Sequence, residues 1–277
     1  MSAPAAPGPY AGCAGLRVAP GDDGVLRLVM DKPAKRNALD DEMVAALIAA
    51  VDASERDESV RAILISGEGD HFCGGFDIFT RNADRGAPKP RAGSIQRRLP
   101  AQAHRLVPLL VSVQVPIVCA VRGWAAGIGL HMALACDFTV AADDARFWEP
   151  FIERGFTPDS GGTWLLPRRV GDVRAREMLL LGRSVSGREA VEWGLVHRAV
   201  PAADVTAEAE ALAAQLAAGP TVAIGLTKWL LHRGAALPLD AHLRDEAFGV
   251  ELSSRSEDFR EGLAAFSEKR PPRFTGR

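Results

Sequence analysis

The sequence predicts an α/β core followed by a layer of C-terminal helices, and three observations lead to this fold class. Short apolar runs typical of buried strands alternate with helical patterns from residue 25 to about residue 200, as in parallel βαβ units. From Asp204 onward the pattern is almost entirely helical. The length of 277 residues is enough for one large domain with a sizeable core, or for two small domains.

The first elements are predicted from periodicity and capping signals. The Pro-, Ala- and Gly-rich start of the chain, taken as residues 1–15, is predicted to be disordered. Val25–Met30 is predicted to be a strand. Asp40 is predicted to cap a helix over residues 41–56, whose apolar side chains share one face. The run AILIS at 62–66 predicts a buried strand.

The alternation continues through the second half of the core. Residues 79–98 are predicted to be a polar, basic loop, and residues 99–113 a helix that its internal proline kinks. Ile117–Val121 is predicted to be a buried strand, followed by a glycine-rich turn, a helix ending at Ala135, and a third buried strand at 138–141. The chain is thus divided into a disordered segment (1–15), an α/β core (16–200) and a helical region (201–277).

Composition excludes several classes of function. The 33 Lys and Arg residues against 35 Asp and Glu give a net charge of −2, so a nucleic-acid partner is not expected. No apolar stretch approaches the length of a membrane span. The four cysteines form no C-x-x-C pair, and the six histidines are scattered, so neither a disulfide framework nor a metal site is expected. With no signal-peptide pattern at the start, a cytoplasmic protein is expected.

Two segments combine a buried strand with a glycine-rich turn, at 63–78 (ILISGEGDHFCGGFDI) and 116–137 (PIVCAVRGWAAGIGLHMALACD). Two such turns side by side can direct backbone N–H groups at one developing oxyanion; alternatively, the glycines only permit tight packing. The spacing of Gly123, Gly127 and Gly129 is G-x-x-x-G-x-G, which is not a dinucleotide fingerprint. The sequence also lacks a Walker A lysine and a G-x-S-x-G elbow.

These two segments, together with KPAKRNALDDEM at 32–43, ARFWEPFIERGFTPDSGGTWLLPRRVG at 145–171 and SEDFREGLAAFSEKRPPRF at 256–274, resemble the crotonase (enoyl-CoA hydratase/isomerase) superfamily. The resemblance implies repeated ββα units on two nearly perpendicular sheets. It also implies a homotrimer, often paired as a hexamer, in which the C-terminal helical region packs on neighbouring subunits. The implied substrate is an acyl-CoA thioester, with coenzyme A as part of the substrate and no separate cofactor.

The resemblance places an oxyanion hole on the backbone N–H groups of Phe76 and Ile128, which would polarise the thioester carbonyl and stabilise an enolate. The chain also departs from the pattern of this family, because the positions of the two carboxylates of a hydratase align with His131 and Phe151. Glu149 and Glu153 lie within two residues of Phe151, but such an offset changes the direction of a side chain. Simple hydration through two carboxylates is therefore not expected.

Asp159 aligns with a position at which some isomerases and dehalogenase-like members carry a working Asp, so we interpret it as a proton shuttle. The alternative is that Asp159 caps the helix beginning near Gly161. His131, two residues past Gly129, is a candidate second acid/base group, although a lone helical histidine is more often structural.

The resemblance also implies contacts to coenzyme A. Lys35 and Arg36 precede Asn37 in the first motif, and the side chains predicted to bind coenzyme A are Lys35, Arg36, Asp77, Ile78, Phe266 and Lys269. The last two are expected to act on a neighbouring subunit's ligand. Basic side chains at 81–98 either meet the phosphates or form a solvated loop; they are Arg81, Arg85, Lys89, Arg91, Arg97 and Arg98.

The sequence thus predicts an acyl-CoA enzyme that stabilises a thioester enolate and moves protons with Asp159, by double-bond isomerisation or by hydration with unusual acid/base groups. Two alternatives stay open. One is another reaction of the same superfamily, namely C–C bond hydrolysis, thioester hydrolysis or dehalogenation. The other is a non-catalytic acyl-CoA-binding protein.

Overall fold

The computed structural model describes residues 8, 10–77 and 91–277. The strands are β1 Leu16–Pro20, β2 Val25–Met30, β3 Ala62–Gly67, β4 Ile117–Val121, β5 Trp124–Ala126, β6 Phe138–Ala142, β7 Arg146–Trp148, β8 Val185–Ser186 and β9 Arg198–Val200. The α-helices are α1 Asp41–Ser54, α2 Ser94–Arg98, α3 Ala103–Ser112, α4 Ile128–Ala135, α5 Gly162–Leu181, α6 Gly187–Glu192, α7 Val205–Ala217, α8 Thr221–Gly234, α9 Leu239–Ser253 and α10 Glu257–Glu268.

The main sheet has the strand order β1-β2-β3-β4-β6-β9. Strand β1 is antiparallel to β2, and the other neighbours are parallel. Every residue of β4 (IVCAV) is buried, as expected for a central parallel strand that is covered on both faces. The predicted α/β class and its three buried strands are confirmed.

A second, three-stranded sheet has the order β5-β7-β8. Strand β5 pairs with β7 in parallel, with Ala126 opposite Trp148, while β8 is antiparallel to β7. These strands have only two or three residues each, which is too short for a period-2 pattern. The resemblance implied a second sheet, but the residue patterns did not predict these strands, although the sheet carries the second glycine turn.

The predicted helices form with small corrections. The carboxylate of Asp40 accepts the Met43 N–H at 2.9 Å, so it caps α1 as predicted. Pro108 lies inside α3, where its missing N–H removes one helical hydrogen bond. The predicted helix over 99–113 is divided, because Leu99–Ala101 form a separate 3₁₀ helix. The prediction of a loop through residue 98 is wrong for its last residues, because Ser94–Arg98 is helical.

The C-terminal region is helical from Val205 onward. Helix α7 buries Val205, Ala209, Ala213 and Ala217, a stripe with i, i+4 spacing that lets the helix lie close to the sheet. In α8, the buried ammonium of Lys228 contacts the Asp137 carboxylate at 2.8 Å and donates to two backbone carbonyl groups at 3.2 Å each. This contact joins the helical region to the ends of β4 and α3.

The N-terminal turn of α10 is held by a segment that follows the helix. The Asp258 carboxylate, 3% exposed, accepts the N–H groups of Thr275 at 2.7 Å and Gly276 at 2.9 Å. The Asp258 N–H donates to the Arg277 carbonyl at 2.9 Å. Residues 275–277 therefore satisfy polar groups at the start of α10.

Among the described residues no single helix is long and apolar enough to cross a membrane; α7 and α8 reach that length and composition only as a pair bent by 106°. The four cysteines are free thiols. Complete burial raises the pKa of Cys73 to about 12. The predicted disorder of residues 1–15 stays a prediction; within that segment, Cys13 forms an isolated bridge with Leu16.

Candidate active site

The two glycine-rich turns lie side by side because the segments that lead into them are hydrogen-bonded. Cys73 forms a parallel bridge with Ala125, through the Cys73 N–H to Trp124 at 2.8 Å and the Ala126 N–H to Cys73 at 2.9 Å. Phe76 and Ile128 each lie three residues beyond this bridge. The register thus brings the two predicted oxyanion residues to the same edge of the structure.

The backbone of both turns requires glycine. Gly75 has φ +103° and Gly127 has φ +52°, conformations that disfavour a side chain. A Cβ atom at Gly75 would lie 3.2 Å from the Ala126 carbonyl oxygen, so the first turn packs directly against the end of β5. Ile128 opens α4, and its N–H therefore has no acceptor within the helix.

Asn37 fixes the loop that follows β2 against the first turn. Its side chain is fully buried; it accepts the Lys32 N–H at 2.8 Å and donates to the carbonyls of Glu68 and His71. The Gly74 N–H donates to the Arg36 carbonyl at 2.7 Å. Residues 35 and 36 are thereby held beside the glycine turn.

A cleft of about 370 Å³ opens at this place. It contains Phe76 and three of the residues predicted to bind coenzyme A, namely Lys35, Arg36 and Asp77. Lys35 and Asp77 form an ion pair at 2.8 Å. The other lining residues are Ala38, Gly74, Trp124, Ala126, Trp148 and Arg154. The structure therefore joins the residues predicted to bind coenzyme A to the first oxyanion turn.

His131 and Glu149 form a buried pair, with 2.8 Å between Nε2 and Oε1 and side-chain exposures of 0% and 1%. The ring of Phe151 is stacked on the imidazole, with 5° between the planes and 6.0 Å between the centroids. The same phenyl ring lies 3.4 Å from where a Cβ of Gly127 would be. The two positions at which a hydratase would carry carboxylates thus form one stacked assembly beside the second glycine turn.

Asp159 lies on the loop before α5 and is partly buried. Its Oδ1 accepts the Ser160 hydroxyl at 3.0 Å. The Ser160 N–H donates to His104 Nε2 on α3 at 3.4 Å. Ser160 has φ +52°, an unusual conformation for a residue other than glycine. An imidazole from α3 is therefore placed beside the residue next to Asp159.

The alternative interpretation of Asp159 as a helix cap is wrong. The N-cap of α5 is Gly161, with φ +95° and no side-chain capping bond. Only the backbone carbonyl of Asp159 contacts this turn, where it accepts the Gly162 N–H at 3.3 Å. The carboxylate is not used to cap the helix.

The remaining predicted residues have different outcomes. Ile78 and the basic side chains at 81, 85 and 89 lie outside the described residues. Phe266 and Lys269 do not line the cleft; Phe266 is 86% exposed on α10, and its predicted role on a neighbouring subunit stays a prediction. Across the described part of the chain, no cluster of three or more His, Cys, Asp or Glu side chains could hold a metal ion.

Sequence reasoning missed three residues of this site. Glu149 was set aside because a two-residue offset changes direction, yet its direction is what brings it to His131. Ser160 is next to Asp159 in the chain, but its direction is set by the fold. His104 meets Ser160 through a contact that spans 56 residues, for which no local pattern exists.

A model of the family described as enoyl-CoA hydratase/isomerase matches residues 21–277. The chain belongs to this family. It is 39% identical over 256 residues to a 1,2-epoxyphenylacetyl-CoA isomerase from Escherichia coli (strain K12), covering 92% of this chain and 97% of that protein. It is 35% identical to a 4-chlorobenzoyl coenzyme A dehalogenase from an Arthrobacter species, over 89% of this chain and 88% of that protein.

Solved structures agree with this assignment. The crystal structure of an enoyl-CoA hydratase from Polaromonas sp. JS666 superposes with a TM-score of 0.86 at 32% identity, over 94% of this chain and 99% of that chain. The predicted crotonase-type fold is confirmed, and the protein is an enzyme of the enoyl-CoA hydratase/isomerase type. Its relatives include isomerases, hydratases and dehalogenases, so the family alone leaves the reaction open.

Proposed function

We propose that this enzyme isomerises an acyl-CoA thioester, by moving a double bond or by rearranging a strained group in the acyl chain. The amides of Phe76 and Ile128 bind the thioester oxygen, and the Asp159 carboxylate removes a proton from carbon. The thioester oxygen gains negative charge as the enolate forms, and two backbone N–H donors stabilise it. The loss of one such donor typically costs about 3 kcal/mol of transition-state stabilisation.

The observation that carries the proposal is the state of the three candidate positions. His131 is bound to Glu149, and the apolar ring of Phe151 is stacked on His131. The Asp159 carboxylate does not cap α5, although it lies in the loop just before that helix starts. A hydratase mechanism with two carboxylates therefore has no matching groups at its two positions. A mechanism that begins with proton removal by Asp159 has the group that it needs.

The test is the Asp159→Asn variant with a panel of enoyl-CoA and aryl-acyl-CoA thioesters. Turnover is expected to fall by about 100-fold or more, because the amide cannot accept the proton. Affinity for the thioester should change by only a few-fold. Asp172→Asn, an exposed substitution on α5, is the matched control and should keep full activity. Full activity in Asp159→Asn would refute the role of this carboxylate.

A second candidate is displacement on an acyl-CoA by the Asp159 carboxylate acting as a nucleophile. It is favoured by His104, whose imidazole contacts the N–H of Ser160, the residue next to Asp159, because an imidazole near the ester can activate the water that releases it. The dehalogenase relatives support it. A single turnover in ¹⁸O-water distinguishes the candidates, since only the nucleophilic mechanism places the label in Asp159. Retained binding of CoA thioesters without any turnover would instead favour an acyl-CoA-binding protein.

We also propose that the enzyme is a homotrimer or a pair of trimers. Large apolar side chains are exposed on three helices of the single chain: Val173, Leu180 and Leu181 on α5, Leu239, Leu243, Phe248 and Val250 on α9, and Leu263 and Phe266 on α10. Patches of this kind mark protein–protein contacts. Light scattering should give the mass of three or six chains, and an active monomer at micromolar concentration would refute the proposal.

A further inference from the structure

The direction of the Phe76 N–H group is set by the peptide unit that it shares with Gly75. The Gly75 carbonyl oxygen accepts the Leu39 N–H at 2.8 Å, and the Cys73 Sγ lies 3.8 Å from the same oxygen. Because a peptide unit is planar and trans, its N–H points away from its C=O. The Phe76 N–H is therefore directed away from Leu39, toward the side on which Cys73 is bonded to β5.

The second donor is connected to this segment by one hydrogen bond. The Ala126 N–H donates to the Cys73 carbonyl at 2.9 Å. Ala126 lies two residues before Ile128, whose N–H opens α4, and Cys73 lies three residues before Phe76. The Cys73 carbonyl thus joins the two turns, and any displacement of this carbonyl changes the distance between the two N–H groups.

The first turn of α4 packs directly on this connection at Gly129. A Cβ atom on Gly129 would lie 2.8 Å from the Cys73 carbonyl oxygen, 2.7 Å from Cys73 Cβ and 2.9 Å from Cys73 Sγ. The carbonyl oxygen belongs to the backbone and Cβ is fixed to it, so neither atom can swing aside. All eight residues of α4 are buried, and the helix therefore has no free side toward which it could shift.

We propose that Gly129 and Cys73 are positioning residues, whose contact sets the separation between the N–H groups of Phe76 and Ile128. The proposal rests on the oxyanion hole of the proposed function. A methyl group at position 129 would push the start of α4 away from the Cys73 carbonyl, and the two donors would no longer reach one thioester oxygen at hydrogen-bond distance. Both residues act through the backbone and not through a contact with the substrate.

The first experiment measures the hydrogen bonds to the thioester oxygen directly. The probe is hexanoyl-CoA with ¹³C at its thioester carbonyl, which has no double bond to isomerise. Infrared difference spectroscopy gives the stretching frequency of this carbonyl in the bound and the free thioester. In the wild type, two N–H donors should lower the frequency on binding. In Gly129→Ala the lowering should be smaller, while the Kd for hexanoyl-CoA changes only a few-fold.

The second experiment compares turnover with a substrate that the wild type converts. Loss of a whole oxyanion donor typically lowers kcat by about 10²–10³-fold. Displacement of a donor should cost less, so Gly129→Ala should lower kcat by about 10- to 100-fold with KM changed only a few-fold. The matched control is Gly262→Ala on α10, where the added methyl group has no neighbour closer than 3.7 Å. The control should keep both kcat and the carbonyl frequency.

Variants of Cys73 test whether the two residues act through their contact. Cys73→Gly removes Cβ and Sγ, so that only the carbonyl oxygen still meets the methyl group of Gly129→Ala. Gly129→Ala should therefore cause a smaller loss of kcat in the Cys73→Gly background than in the wild type. Cys73→Ala serves if Gly129→Ala does not fold, because it adds no atoms. It deletes the thiol beside the Gly75 carbonyl and should also reduce the lowering of the carbonyl frequency.

The outcomes distinguish this inference from the proposed function. If the wild type does not lower the carbonyl frequency, the oxyanion hole is wrong, and both proposals fail. If the wild type lowers it, and the folded Gly129→Ala or Cys73→Ala variant lowers it equally with unchanged kcat, only the positioning role is overturned. Additive losses of kcat in the double variant would overturn it as well, because residues that act through one contact are not additive.

Discussion

Replacement of Gly162 by alanine tests the packing of the His131–Glu149 pair. Gly162 is the first residue of α5. A Cβ atom there would lie 2.4 Å from His131 Nε2 and 2.9 Å from Glu149 Oε1. Such distances are not tolerated between real atoms, so either the pair or the helix start must move.

The change in the free energy of unfolding follows from two opposing effects. Alanine in place of glycine favours a helix by roughly 0.5–1 kcal/mol. Overpacking of a buried site costs about 1–3 kcal/mol, and here the imidazole cannot swing away because Phe151 covers its face. Gly162→Ala should therefore lower the free energy of unfolding by about 1–2 kcal/mol, which for a chain of this size corresponds to a Tm lowered by roughly 2–4 °C.

Gly262→Ala is the matched control. Gly262 lies inside α10, and its added Cβ would meet only the Phe274 ring at 3.7 Å, an ordinary contact. This variant should gain up to about 1 kcal/mol from helix propensity. Urea unfolding of both variants and the wild type at the same protein concentration gives the comparison. If Gly162→Ala is as stable as Gly262→Ala, the imidazole and carboxylate do not occupy the space described.

Three further predictions concern other parts of the molecule. Partial burial raises the pKa of Asp40, but hydrogen bonds from Lys32 and the Met43 N–H outweigh it and leave the pKa below its ordinary value. This contribution to stability is present above about pH 4 and is lost as the pH falls through the folded-state value. Asp40→Ala should thus cost about 1 kcal/mol at pH 7 and progressively less in urea titrations below pH 4; a constant difference would contradict this. Because burial raises the pKa of Cys73 to about 12, iodoacetamide at pH 8 should label this thiol only after unfolding, and peptide mass spectrometry that finds it labelled in native protein would show that the first turn opens. Ser160→Gly should be more stable than Ser160→Ala by about 1 kcal/mol, because glycine adopts φ +52° without strain while both variants lose the hydroxyl contact to Asp159; equal stability in urea would argue against strain at this residue.

The features predicted correctly are those with a local cause. Asp40 caps α1 because a short carboxylate three residues before an amide suffices to make the bond. The run at 117–121 is a central strand because an uninterrupted apolar segment needs cover on both faces. The glycine-rich turns were located because their glycines break both helical and strand patterns.

The features not predicted depend on distant residues. Strand β1 has only Leu16 buried, so its sequence shows no apolar alternation, and its pairing with β2 defines it. Glu149 meets His131 across 18 residues and two elements. The alternative in which Asp159 caps α5 fails because Ser160 and Gly161 both have positive φ, and the cap is Gly161, two residues beyond the carboxylate.

The contact between residues 275–277 and the start of α10 has a consequence for biosynthesis. Asp258 is buried, and two of its acceptor bonds come from amides at 275 and 276. Synthesis proceeds from the N-terminus at about 5–20 residues per second, so the sequence of α10 is made before the amides that bind Asp258. The strands and α7 can associate earlier, whereas the start of α10 gains its full set of hydrogen bonds only once residues 275–277 are also available to fold.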